Sequence, residues 1–190
     1  MNWIAWIFVG VQFILLFVLF RIVIRLVLFI LFFHESLPYA PSNWVPQRAI
    51  ARLPVLDGRK KIVDLGSGTG ELLLAIGKRH RAAELVGVEH NRALNFFARA
   101  RFFFWRKKGR PTIITGDMFA YSLQNVDAVV GYWIQVVMPQ LLEKFAKELR
   151  PGAVVICHTF PLPDHPAFSK QEINIPYSKK QIWIYTKCSL

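Results

Sequence analysis

The stretch Ile62-Val63-Asp64-Leu65-Gly66-Ser67-Gly68-Thr69-Gly70 decides the fold of this chain. It starts as an apolar run of strand character and ends in a turn carrying three glycines, and residues 71–79 follow with helical composition. Strand, glycine loop and helix together make a ligand site, because an open backbone lets a bound group approach the helix N-terminus closely. A dinucleotide fingerprint, G-x-G-x-x-G, would need its third glycine at position 71, where Glu71 stands. The third glycine is Gly70, which gives G-x-G-x-G, and no G-x-x-x-x-G-K-[ST] loop occurs, which argues against a phosphate-loop NTPase. Two carboxylates frame the motif. Asp64 lies two residues before the first glycine, and Glu89 closes a second apolar run, Leu85-Val86-Gly87-Val88.

Outward from this motif, strands and helices alternate. Residues 62–65, 85–89, 112–115, 127–132 and 153–158 read as strands, and 71–79, 91–107 and 139–149 as helices. Apolar strands separated by helices predict a parallel sheet covered on both faces. Residues 173–177 and 181–186, joined by Ser178-Lys179-Lys180, predict a terminal antiparallel hairpin. Upstream, Ser42 is a suitable N-cap for a short helix over 43–53, with Pro46 tolerated in its first turn, and Asp57-Gly58 marks a turn.

The N-terminus has a different character. From Trp3 to Phe20 the clearly polar residue is Gln12, and apolar residues continue to Phe33 around Arg21 and Arg25. Eighteen helical residues span about 27 Å, close to the roughly 30 Å hydrocarbon core of a bilayer. No Lys or Arg precedes the run and no small-x-small cleavage site follows, which disfavours a signal peptide. Residues 1–33 therefore read as a retained, single-pass membrane helix. The alternative is a core helix of a soluble protein, but a single domain rarely buries a helix that is apolar all round. Residues 34–60 read as a linker and short helix, and 61–190 as the main domain. Of the 190 residues, 24 are Lys or Arg and 12 Asp or Glu, for a net charge of +12. Residues 1–33 hold two of the basic residues and no acid, which leaves +10 beyond them. By the positive-inside rule that places the main domain on the cytoplasmic side, beside anionic headgroups that attract it. Cys157 and Cys188 suggest neither a disulfide framework nor a metal set, as expected in a reducing compartment, and the histidines lack metal-ligand spacing.

The glycine motif with its acids resembles motif I of the class I S-adenosylmethionine (AdoMet) methyltransferases, whose fold is a Rossmann-like doubly wound, mostly parallel seven-stranded sheet with a C-terminal antiparallel hairpin. The resemblance implies AdoMet as cofactor, with Gly66, Ser67, Gly68 and Gly70 closing around its methionine part. Asp64 would face the ligand amine, Glu89 would accept the ribose hydroxyls, and Asp117, at the end of the third strand, would accept from the adenine amino group. Ligands of open α/β sheets bind at these strand ends. The fourth strand lacks the Asn/Asp-Pro-Pro-aromatic tetrapeptide of enzymes that methylate base amines. Its last residues, Tyr132 and Trp133, are expected either to wall an amine acceptor by cation–π attraction or to pack in the core.

Three further segments are similar to a narrower family, that of the lysine methyltransferases acting on the ATP synthase c-subunit and the adenine nucleotide translocase, and related archaeal enzymes. They are Leu37-Pro38-Tyr39-Ala40-Pro41-Ser42, Met138-Pro139-Gln140-Leu141 with Glu148-Leu149-Arg150-Pro151-Gly152-Ala153, and His158-Thr159-Phe160-Pro161-Leu162-Pro163. This resemblance adds Tyr39, Pro41 and Ser42 to Tyr132 and Trp133 as expected acceptor contacts, and implies a protein lysine as substrate, in a membrane or membrane-associated protein. Residues 160–172 are short and proline-rich for the helix that ordinarily precedes the sixth strand. The alternatives are a lipid or small-molecule N-methyltransferase and a non-catalytic AdoMet-fold module. One motif stands outside these readings. Arg99-Ala100-Arg101-Phe102-Phe103-Phe104-Trp105-Arg106-Lys107-Lys108 interleaves basic and aromatic residues, which suits core packing with a solvated basic rim, a membrane surface or, less well, nucleic acid.

Overall fold

The computed structural model describes residues 3–33, 44–103, 105, 110–175 and 180–189. The chain divides into two compact units, Met1–Ala40 and Pro41–Leu190. In the first, helix α1 runs over Trp3–Phe33. Its stretch Trp6–Val27 has a mean hydropathy of 2.7 and none of it is buried, so by length and composition it qualifies to cross a membrane.

The second unit is built on a seven-stranded sheet. Its strands are β1 (Lys61–Leu65), β2 (Glu84–Glu89), β3 (Thr112–Thr115), β4 (Ala128–Gly131), β5 (Val154–His158), β6 (Phe168–Asn174) and β7 (Gln181–Lys187), in the spatial order β3-β2-β1-β4-β5-β7-β6. The first five are parallel, and β7 pairs antiparallel with both β5 and β6. The helices are α2 (Trp44–Ile50), α3 (Glu71–Arg79), α4 (Arg92–Phe103) and α5 (Met138–Glu148), with a 3₁₀ turn at Pro54–Leu56. This is the Rossmann-like, doubly wound arrangement with a terminal hairpin that the alternation of elements predicts.

Side chains along a strand point alternately to the two faces, and β1 shows the consequence. Ile62 joins a core with Leu56, Leu73, Ile76, Leu85 and Phe102, under α2, α3 and α4. Val63 and Leu65 join the opposite core with Met138, Leu141 and Phe145, under α5. At the amino edge of the sheet Asp127 is buried. It accepts hydrogen bonds from the backbone N–H groups of Lys60 (2.7 Å) and Lys61 (3.0 Å) and pairs with Arg150, tying the entries to β1 and β4 together.

Several boundaries differ from the sequence expectation. The helix expected over 43–53 stops at Ile50, because Pro54 holds Leu53 in an extended conformation (ψ 125°). The helix expected to reach residue 107 ends at Phe103. Strand β6 begins at Phe168 and ends at Asn174, earlier than the expected 173–177. It is an edge strand whose Ser169-Lys170-Gln171-Glu172 run is exposed, so backbone pairing to β7 defines it rather than an apolar pattern.

Candidate functional site

The strand order reverses between β1 and β4, and a crevice at the carboxyl ends of the strands follows at such a switch point. The glycine loop lies there. Gly66, Gly68 and Gly70 all have left-handed φ (+76°, +53° and +74°), a region costly to residues with a Cβ. At Gly70 space is limiting as well, since a Cβ there would stand 2.5 Å from the Phe102 ring. At Gly66 a Cβ would meet nothing within 4 Å, so the backbone faces open space. The loop is fastened to β2 by the N–H groups of Gly66 and Ser67, both donating to the Val88 carbonyl (2.8 and 3.1 Å).

The acids that the sequence places at strand ends come together around this loop. Glu89 Oε2 accepts from the Gly68 N–H (3.0 Å) and Oε1 from the Asn91 N–H (2.9 Å). The carboxylate thus shapes the loop, and its remaining lone pairs stay available to a diol. Asp64 is buried at the end of β1. Burial, and then the neighbouring Glu89 charge, push its carboxyl up to about 8. Asp117 is exposed just beyond β3, and its Oδ1 accepts from the Phe119 N–H (2.8 Å), fixing the turn. Gly116 N–H donates to the Glu89 carbonyl (3.1 Å), which holds that turn against the end of β2.

Asn95 was not legible from the motifs, whereas Ser67 was expected in the loop. Asn95 is buried on α4, and its Nδ2 donates to the Glu89 carbonyl (2.8 Å) and to Thr115 Oγ1 (3.1 Å), pinning the ends of β2 and β3 side by side. Ser67 Oγ is buried without a hydrogen-bond partner among the described residues. A Cβ on Gly87 would come within 2.6 Å of it, so Gly87 makes its room.

Beside the cradle, at the ends of β4 and β5, Tyr132 stacks on His158 (ring centroids 4.9 Å, 18° between planes) and lies 6.2 Å from Phe160. His158 is buried, and burial, with the Lys180 charge behind it, lowers its pKa to about 4, so the imidazole is neutral. Its Nδ1 lies 2.8 Å from the hydroxyl of Thr159, the one non-glycine residue with positive φ (73°) among those described. Such strain collects where the surroundings over-determine the backbone. Trp133 departs from the expected acceptor wall. It is buried, its Nε1 donates to the Leu65 carbonyl (2.9 Å) and its ring packs on Phe145. Adjacent side chains leaving a strand point to opposite faces, so with Tyr132 at the crevice Trp133 turns into the core. Tyr39, Pro41 and Ser42 lie outside the described residues.

An AdoMet molecule fits what is present. The open, left-handed glycine backbone, an orphan hydroxyl at Ser67, a buried carboxyl at Asp64, a carboxylate at Glu89 and an exposed acceptor at Asp117 suit the ammonium, diol and amino groups that it carries.

Comparison with known proteins agrees with this geometry. The ANTKMT methyltransferase domain profile matches residues 64–168. The lysine N-methyltransferase of the ATP synthase c-subunit from Mus musculus is 32% identical over 129 residues, 67% of this chain and 50% of the mouse protein. A protein-lysine N-methyltransferase of Saccharolobus islandicus is 28% identical over 65% of this chain and 76% of its own length. The match thus spans about half the length of the mouse relative. In fold, the chain is similar to an RNA methyltransferase from Salinibacter ruber solved with S-adenosyl-L-homocysteine, with a TM-score of 0.65 at 21% identity over 81% of this chain and 95% of that one. With the profile covering the end of β1, the glycine loop, strands β2 to β5 and the acids at the strand ends, this chain belongs to the ANTKMT methyltransferase domain family.

Proposed function

We propose that this chain is a membrane-anchored, AdoMet-dependent protein-lysine N-methyltransferase acting on a membrane or membrane-associated protein. The observation that carries this is the pairing of the acid-framed glycine cradle with an aromatic ledge, Tyr132 over His158 and Phe160, one strand away. Asp64, Gly66, Ser67, Gly68, Gly70, Glu89 and Asp117 would hold the cofactor. When bound, AdoMet supplies the electrophilic methyl of its sulfonium. The protein's part is to align the acceptor and keep water out. Tyr132 offers a half-buried ring face that attracts a lysine ammonium and removes it from water. Desolvation favours the neutral amine, the nucleophilic form of a group whose free pKa is near 10.4, so proton loss needs no dedicated base. Lysine as acceptor is supported by the names of the mouse and archaeal relatives. The anchor is supported by the apolar stretch of α1, and the cytoplasmic side by the basic residues that follow it. In this reading residues 1–33 anchor, 34–60 connect and 61–190 catalyse.

The test is transfer of labelled methyl from AdoMet into host membranes by the wild type and Asp64→Ala, followed by separation of protein from lipid. Wild-type-only label on a lysine of a membrane protein is the expected result. Label in the lipid phase would make the chain a lipid N-methyltransferase. Absence of transfer with AdoMet binding intact would make it a binding module.

A further inference from the structure

Helix α4 contributes to the core through Leu94, Asn95, Ala98 and Phe102, and its other side is unusual for a soluble surface. At 100° per residue, Arg92, Phe96, Arg99 and Phe103 form one stripe, Phe97 and Arg101 a second, and Ala93 and Ala100 lie between them. Phe96 and Phe103 are 69% and 71% exposed, and Phe97 is 42% exposed. The helix contains no acid. Arg99 is anchored by its guanidinium to the Ile113 carbonyl and Thr115 Oγ1, and Arg101 by an ion pair to Glu71, so both are held at the margins of the face. These three phenylalanines belong to neither of the two cores.

We propose that this face of α4 docks on an anionic lipid bilayer. Two observations select that occupant. Exposed phenylalanines set among arginines, on a helix that itself carries no acid and whose Arg92 and Arg99 pair with none among the described residues, complement a surface of apolar chains under anionic headgroups. The same chain carries α1, joined to this unit through residues 34–43, which reach at most about 40 Å when extended, so a bilayer holding α1 keeps this unit near its surface. The proposal rests on the reading of α1 as a membrane span. It also bears on the substrate. Helix α4 starts just after the carboxyl end of β2, capped by Asn91, whose Oδ1 accepts from Ala93 N–H (2.9 Å). The start of the docked face is therefore at the edge of the sheet that carries the cradle, and a bilayer against it brings the site to lysines near the membrane surface.

The experiment uses the full chain with Cys188→Ser, reconstituted in phosphatidylcholine vesicles with or without phosphatidylglycerol. An environment-sensitive label is placed through Ala100→Cys on the face, or through Glu143→Cys on exposed α5 as control. The expected result is a blue shift and quenching by brominated lipid for the Ala100→Cys label when phosphatidylglycerol is present, none for the Glu143→Cys label, and loss of both signals on adding Phe96→Ser and Phe103→Ser. Both phenylalanines are exposed, so the domain keeps its core. Alkaline carbonate extraction reads the anchor separately. A chain that resists extraction while its Ala100→Cys label stays in water overturns the docking and leaves the anchor standing. A chain that is extracted overturns the anchor. A label that responds to added RNA and not to lipid overturns the docking in favour of nucleic acid.

Discussion

Burial of Asp64 beside Glu89 makes its carboxyl a protonated group at neutral pH in the ligand-free chain, with a pKa near 8 against 3.8 in the unfolded chain. An arriving ammonium favours the ionised form, so AdoMet binding at pH 7 is expected to release a proton. Calorimetry in buffers of different ionisation enthalpy would measure that release, and Asp64→Asn should abolish it. The stability consequence has a definite sign. The native carboxyl keeps its proton while the unfolded one has lost it, so the unliganded domain loses stability as pH rises from about 4 to 8, and Asp64→Asn should flatten the slope of Tm against pH. In the proposed site Asp64→Ala would remove a charge-assisted hydrogen bond of about 1.5–3 kcal/mol, which corresponds to AdoMet binding weakened about 10- to 100-fold. Unchanged affinity would remove Asp64 from the site.

Among the elements, the glycine loop and the amino edge of the sheet separate function from stability. Gly70 has φ +74° and sits against Phe102, so Gly70→Ala carries both a left-handed penalty of about 1–2 kcal/mol and a collision with a core ring. Reduced Tm together with lost AdoMet binding is expected, because the loop cannot keep its shape. Asp127 presents the opposite case. It is held ionised by hydrogen bonds from Lys60, Lys61 and Arg150 that outweigh the cost of its burial, and its pKa is lowered. Asp127→Asn should cost about 1–3 kcal/mol, a fall in Tm of several degrees, with AdoMet affinity unchanged because the cradle is at the other edge. Since this pKa is depressed, the stabilisation is present above the unfolded value of 3.8 and is lost as pH falls below it.

At the scale of the whole molecule, the two units make distinct demands on solvent. Helix α1 exposes Trp6, Phe8, Phe13, Phe17 and Phe20, whereas the second unit contains both cores and the cradle. Removal of residues 1–33 is expected to give a soluble domain that binds AdoMet with wild-type affinity, measured by titration after gel filtration. Aggregation or loss of binding would show that α1 completes the domain.

The sequence by itself determined the order of strands and helices, the glycine loop and the acids at the strand ends. Each of these is a local property, a periodicity of two or 3.6, a residue that tolerates positive φ, or a charge at the end of an apolar run. The tertiary structure alone decided what depends on partners far along the chain. Trp133 was assigned to the core by a hydrogen bond to Leu65, 68 residues away, and the second task of Glu89 was set by Gly68, 21 residues before it. Tyr132 gained its ledge only when β5 brought His158 and Phe160 beside β4. The start of strand β6, before residue 173, was hidden for the same reason. Its residues are polar, and what makes them a strand is the backbone of β7, which no window of neighbouring residues contains.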